Sequence, residues 1–180
     1  MRRLTIISLL AICASCGVAP QPSGMETVAA FEVPLKPPQE RAEFLAIVRE
    51  AAQADGGHVD VASDDELRQM GEAMPAANMS IHAGVWRDQD DKEPWATIMD
   101  LGHIGLVWIT FARGEDEALA RRFRARTMRD INARWPDTPS LPILDRRTIP
   151  LHRDLVRTSS GYELNPSAAS RYMDEPERLN

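Results

Sequence analysis

The chain has 180 residues and a formal net charge of −6 at pH 7, with 21 Lys and Arg against 27 Asp and Glu. This acidic balance argues against nucleic acid as a partner, because nucleic-acid binding needs a basic surface. The chain contains 2 cysteines, Cys13 and Cys16. The remainder therefore holds no disulfide, no cysteine nucleophile and no cysteine-ligated metal.

Residues 1–15 have the pattern of a secretory signal peptide. Arg2 and Arg3 provide positive charge, residues 4–12 are mostly apolar, and the small residues Ala14 and Ser15 precede Cys16. The apolar run is too short to remain as a transmembrane helix.

The sequence CASC at residues 13–16 resembles the lipobox of bacterial lipoproteins, which usually reads Leu, small, small, Cys. Here Cys13 stands where Leu is usual. The resemblance implies cleavage before Cys16, acylation of Cys16 with chains such as palmitate, and anchoring in the cell envelope. Gly17 in place of Asp implies the periplasmic face of the outer membrane rather than the inner membrane. The alternative is plain secretion.

Residues 16–38 contain five prolines and are predicted to form a tether behind the lipidated cysteine. Within that range, residues 27–33 are alternatively an edge strand. Residues 39–166 are predicted to form a single domain, and residues 167–180 a polar tail.

The domain shows alternating helix and strand patterns. Apolar spacing predicts helices within 39–57, 63–75 and 114–135, strands within 58–62, 79–87, 94–102 and 104–112, and a hairpin within 154–164. Ser63 and Glu66 form a capping box, and Pro136 ends the last helix. This order predicts an α+β two-layer sandwich, mainly an antiparallel sheet with helices on one face. A split β-α-β-β-α-β arrangement is the alternative.

The strand within 79–87 predicts two different sheet faces. Ile81, Ala83 and Val85 alternate with His82 and Trp86, so Trp86 belongs to the more polar face. Trp108 also interrupts an apolar strand. We therefore predict that the second sheet face binds a partner through Trp86, unless the tether or the C-terminal hairpin covers that face.

Histidines and carboxylates provide the alternative of catalysis. His58 and Asp60 are two residues apart and should share a face. His82, Asp100 and His103 would form a zinc site or an acid–base pair if they converged. Asp88, Asp90 and Asp91 lack the spacing of a calcium loop. Because no motif requires convergence, the sequence predicts no catalytic residue, metal or cofactor.

The helix within 114–135 is rich in arginine. Arg122, Arg126 and Arg129 share one face, while Leu119 and Phe123 lie on another. Guanidinium groups suit carboxylate and phosphate partners, so we predict binding to an envelope protein or an anionic glycolipid. The alternative is pairing with local acids. Together these features predict a lipid-anchored accessory or assembly subunit that acts by binding; the alternative is a periplasm-facing histidine–carboxylate hydrolase.

Overall fold

The computed structural model describes residues 26–35, 39–73, 81–87, 94–101, 106–144 and 148–172. The predicted signal peptide, Cys13, Cys16, His103 and the Asp88–Asp91 cluster lie outside these residues. Within the described ranges, no helix has both the length and the apolar character needed to cross a membrane.

The described elements follow the predicted order. The strands are β1 (Thr27–Pro34), β2 (His58–Val61), β3 (His82–Trp86), β4 (Ala96–Leu101), β5 (Leu106–Ala112), β6 (Leu155–Arg157) and β7 (Tyr162–Leu164). The helices are α1 (Gln39–Ala54), α2 (Asp64–Ala73) and α3 (Glu117–Arg134). Short 3₁₀ helices cover His152–Asp154 and Pro166–Arg171.

Five strands form one antiparallel sheet in the order β1-β5-β4-β3-β2. β2 to β5 form a meander, and α1 connects β1 at one edge to β2 at the other. α1 and α3 pack together and share a core with the sheet. The predicted α+β two-layer sandwich is confirmed. The split alternative is wrong, because β2 to β5 pair in consecutive order and the strands that follow α3, β6 and β7, pair with each other in a separate sheet.

The buried face of the sheet is the one that the alternation predicted. Ala83 and Val85 of β3 are 1% and 0% exposed, and Phe123 of α3 is 0% exposed. Phe123 packs against Trp95 and Phe111, with ring centroids 5.5 and 6.0 Å apart. The apolar stripe of α3 therefore closes the core, leaving its arginines outside.

The helix ends also follow local sequence signals. Glu66 Oε2 accepts hydrogen bonds from the backbone N–H and the hydroxyl of Ser63, at 2.7 and 2.8 Å, which confirms the capping box. The backbone hydrogen bond from Ser63 is the main cause of the lowered pKa of Glu66. Asp116 caps α3 through a hydrogen bond from the N–H of Leu119, and α3 ends at Arg134, before Pro136.

The domain begins within the residues that were predicted to form the tether. Residues 27–34 form β1, so the edge-strand alternative is correct and the boundary at residue 39 is wrong. The outer side of β1 forms hydrogen bonds with the residues that follow α3. The Glu32 N–H donates to the Pro139 carbonyl, and the Leu141 N–H donates to the Ala30 carbonyl. Covering an edge strand in this way removes a site for unwanted strand pairing.

Candidate functional site

The sheet face opposite α1 and α3 is the first candidate surface, which we call the open face. On β3, β4 and β5 it includes nine residues: His82, Gly84, Trp86, Thr97, Met99, Leu106, Trp108, Thr110 and Ala112. All nine are intermediate in exposure, between the buried core and the exposed surface. His82, Met99 and Trp108 form one row across the strands, and Gly84, Thr97 and Thr110 form the next.

Trp86 lies against its own strand. A Cβ atom built on Gly84 would lie 2.5 Å from Trp86 Nε1 and 2.9 Å from Cε2. The indole therefore occupies the space that any other side chain at position 84 would fill. Gly84 provides a seat that holds Trp86 against the sheet while part of the ring stays accessible.

The nine residues include no Asp, Glu, Lys or Arg, although these types make up 27% of the chain. A surface that is depleted of charged residues and contains Trp and Met is typical of the core of a protein–protein interface. Thr97 and Thr110 also line an open pocket of 210 Å³ at one end of this face. The open face thus offers aromatic area and a few hydroxyl groups, without an exposed charge at its centre.

The β1 side of this sheet face is covered by the C-terminal residues around a buried carboxylate. Glu32 is 3% exposed and accepts hydrogen bonds from the Tyr162 hydroxyl at 2.6 Å and from Trp108 Nε1 at 3.2 Å. His152 Nε2 lies 3.3 Å from Glu32 Oε2, without hydrogen-bond geometry. We call these four residues the Glu32 cluster; its burial fits a structural clamp better than a site open to substrate.

The Glu32 cluster also changes the titration of its tyrosine. Burial, followed by the hydrogen bond to Glu32, raises the pKa of Tyr162 to about 12. Sequence reasoning missed this cluster because its members are far apart along the chain. The one local signal was Glu32 itself, an acid within the apolar run of residues 28–33.

The predicted arginine stripe is the second candidate surface. Arg122 and Arg129 are 61% and 68% exposed, and Arg126 is 36% exposed, as expected for one outer face of α3. Arg122 and Arg126 both contact Asp55, which follows α1. Arg129 pairs with its neighbour Asp130 at 2.8 Å. The alternative of pairing with local acids is therefore what the structure has, although the arginines stay exposed.

Among the described residues, His82 and Asp100 do not come together, and His103 lies outside the described part of the chain. His58 and Asp60 share a sheet face, as predicted. His82 faces Met99 across the ladder, so the next residue, Asp100, points to the opposite face, where Arg41 lies 2.5 Å from its carboxylate. In the described ranges, no group of three His, Cys, Asp or Glu side chains is placed to hold a metal.

Comparisons with protein-family models, with curated proteins and with solved structures found no match to this chain.

Proposed function

We propose that this chain is a lipid-anchored cell-envelope protein that acts by binding another envelope protein. Cys16 is the acylated residue and the outer membrane is the membrane that holds it. The α+β domain contributes the open face, with Trp86, Met99 and Trp108 as its contact groups.

One observation carries the binding proposal, namely the uncharged composition of the open face on β3, β4 and β5; its carboxylates lie on the outer strands, Asp60 on β2 and Glu32 on β1. A half-exposed sheet face with two tryptophans and a methionine loses little solvation energy when a partner covers it. Trp86 is already fixed by its seat on Gly84. A fixed aromatic group loses less conformational entropy on association than a freely rotating one.

The position of the tether supports this arrangement. Glu26, the first described residue, is held by Arg113, which donates to it at 3.0 and 2.8 Å. Arg113 directly follows β5 and Glu26 directly precedes β1, so the chain joins the domain at the end of these two paired strands. Nine residues lie between Cys16 and Glu26, and the ten steps from one to the other span at most about 35 Å. A tether of this reach lets the open face turn towards a protein partner beside the membrane.

The anchor is tested by labelling cells with a palmitate analogue. We expect Cys16→Ser to lose the label, because it removes the thiol that is acylated, whereas Cys13→Ala keeps it. Label retained on Cys16→Ser would contradict the anchor.

The binding proposal is tested by affinity capture from detergent-solubilised envelopes, with the tagged full chain as bait. The test variant is Trp86→Ala with Met99→Ala, which removes apolar area from the open face. The matched control is Leu151→Ala with Val156→Ala, which removes apolar side chains that are 54% and 45% exposed near the C-terminus.

We expect an envelope protein that is captured by the wild type and by the control variant but not by the open-face variant. Circular dichroism must show that every variant is folded. Equal recovery by the open-face variant would contradict the role of this face.

A further inference from the structure

Arg122 and Arg126 are held together by one carboxylate. Arg122 Nε donates to Asp55 Oδ1 at 3.1 Å, and Arg126 Nε donates to Asp55 Oδ2 at 3.3 Å. The Asp55 side chain is only 3% exposed, whereas those of Arg122 and Arg126 are 61% and 36% exposed. We call these three residues the arginine clamp.

The hydrogen bonds of the arginine clamp leave its outer donors available. Each arginine uses Nε towards Asp55, and among the residues that the structure describes, the Nη groups of Arg122 and Arg126 have no acceptor. A guanidinium that is fixed through Nε presents its Nη edge in a defined direction. Two such edges, one helical turn apart, lie side by side on the outside of α3.

The charge of the arginine clamp selects the kind of ligand. Two guanidinium groups and one carboxylate leave a net charge of about +1. Next along the helix, Arg129 pairs with Asp130; the hydrogen bond from Arg129 is the main cause of the lowered pKa of Asp130, and the positive charge of Arg126 also contributes. A phosphodiester carries one negative charge on two unesterified oxygens, and each of these oxygens can accept from one of the two guanidinium groups.

We propose that the arginine clamp binds a phosphodiester group. The clamp lies in the helix layer, on the side of the domain away from the open face, so this site does not depend on the proposed protein partner. The phosphodiester has two possible sources, an anionic lipid headgroup or a soluble phosphodiester, and both present the same monoanionic oxygens to Arg122 and Arg126.

The test uses the full chain with Cys16→Ser in every sample, so that acylation cannot contribute. Binding is measured to phosphatidylcholine vesicles with and without phosphatidylglycerol. Apolar segments bind both kinds of vesicle, and the phosphodiester of phosphatidylcholine is balanced by its choline cation, so the difference between them reports binding to an uncompensated anionic phosphodiester. Glycerophosphoglycerol, the headgroup without its acyl chains, is then added as a competitor.

The decisive variant is Arg122→Lys with Arg126→Lys, which keeps both charges and removes the forks. We expect it to weaken phosphatidylglycerol-dependent binding roughly tenfold, the value of one charge-assisted hydrogen bond. Arg122→Gln with Arg126→Gln should weaken it about 30-fold, from the two lost charges. The matched control, Arg121→Lys with Arg129→Lys, changes two exposed arginines of the same helix and should bind like the parent chain.

Each outcome decides the proposal. Competition by glycerophosphoglycerol at a concentration no higher than that of the vesicle phosphatidylglycerol would support the site and assign it to a soluble phosphodiester. Phosphatidylglycerol-dependent binding that resists an excess of glycerophosphoglycerol, and that Arg122→Lys with Arg126→Lys weakens, would assign it to a lipid headgroup. Unchanged binding by Arg122→Lys with Arg126→Lys would overturn the clamp, since charge alone would then be enough. Equal weakening in the control pair, or no dependence on phosphatidylglycerol and no binding of the competitor, would overturn it as well. Single Arg→Lys variants replace the pair if the pair does not fold.

Discussion

Removing the hydroxyl of Tyr162 should loosen the C-terminal residues from the sheet. In the wild type this hydroxyl donates to the Glu32 carboxylate at 2.6 Å, and Glu32 is 3% exposed. Tyr162→Phe keeps the ring and leaves one carboxylate oxygen without this donor. A hydrogen bond to a charged group contributes about 1.5–3 kcal/mol, so we expect a loss of about 2 kcal/mol in the free energy of unfolding.

Glu32→Ala should cost more, because it leaves two donors without their acceptor. The Tyr162 hydroxyl and Trp108 Nε1 would then be donors without an acceptor. Each such donor lowers the free energy of unfolding by about 1–3 kcal/mol, so the total loss should be about 2–6 kcal/mol. The double variant should cost less than the sum of the singles, by about 0.5–3 kcal/mol, because both singles break the same bond. The free energy of unfolding of a small domain is only about 5–15 kcal/mol, so losses of this size are readily measured.

The assay combines guanidinium chloride unfolding with amide hydrogen exchange. Exchange should accelerate at Tyr162, whose N–H donates to the Ser140 carbonyl, and at Glu32, whose N–H donates to Pro139. Val156→Ala is the control, since Val156 is 45% exposed and should cost no more than about 0.5 kcal/mol. Additive losses for Glu32→Ala and Tyr162→Phe would refute the direct contact.

Three further outcomes are expected. Phe123→Ala should cost about 3–5 kcal/mol in a denaturation series, because its ring is fully buried, whereas Arg122→Ala should cost no more than about 0.5 kcal/mol; equal costs would contradict the two faces of α3. Gly84→Ala should displace the Trp86 indole and shift its N–H resonance while the other three tryptophan signals stay in place, and an unshifted signal would contradict the seat. The pKa of Tyr162 is raised from 10.0 to about 12, so the stability that its protonated phenol provides is complete below pH 10 and is lost as the pH rises towards 12. In Tyr162→Phe the urea midpoint of unfolding should therefore fall less steeply over this pH range than in the wild type. An unchanged slope would contradict the assignment.

The spacing of apolar residues along the chain was enough to predict both the sheet layer and the helix layer of the fold. Ala83 and Val85 alternate with Gly84 and Trp86, and this pattern alone identified the buried and open faces of β3. The 3.6-residue spacing likewise placed Phe123 inside. These predictions succeed because burial of one face follows directly from the geometry of a strand or helix.

Contacts between distant residues could not be predicted in the same way. Glu32 and Tyr162 are 130 residues apart, and Asp55 and Arg122 are 67 apart. Neither pairing has a local pattern, because the sheet order and the helix packing bring the partners together. The exposed arginines were therefore found from the sequence, whereas the carboxylate that orients two of them was not.

The most direct test of the proposed binding role is crosslinking in intact cells from defined positions. A photoreactive amino acid replaces Met99 at the centre of the open face or, as the control, Val156 on the exposed side of β6. We predict a discrete adduct with one envelope protein from position 99, lost when Trp86→Ala is added, and no such adduct from position 156. Adducts that form from position 156 but not from position 99, or that persist from position 99 without Trp86, would contradict a partner bound on the open face.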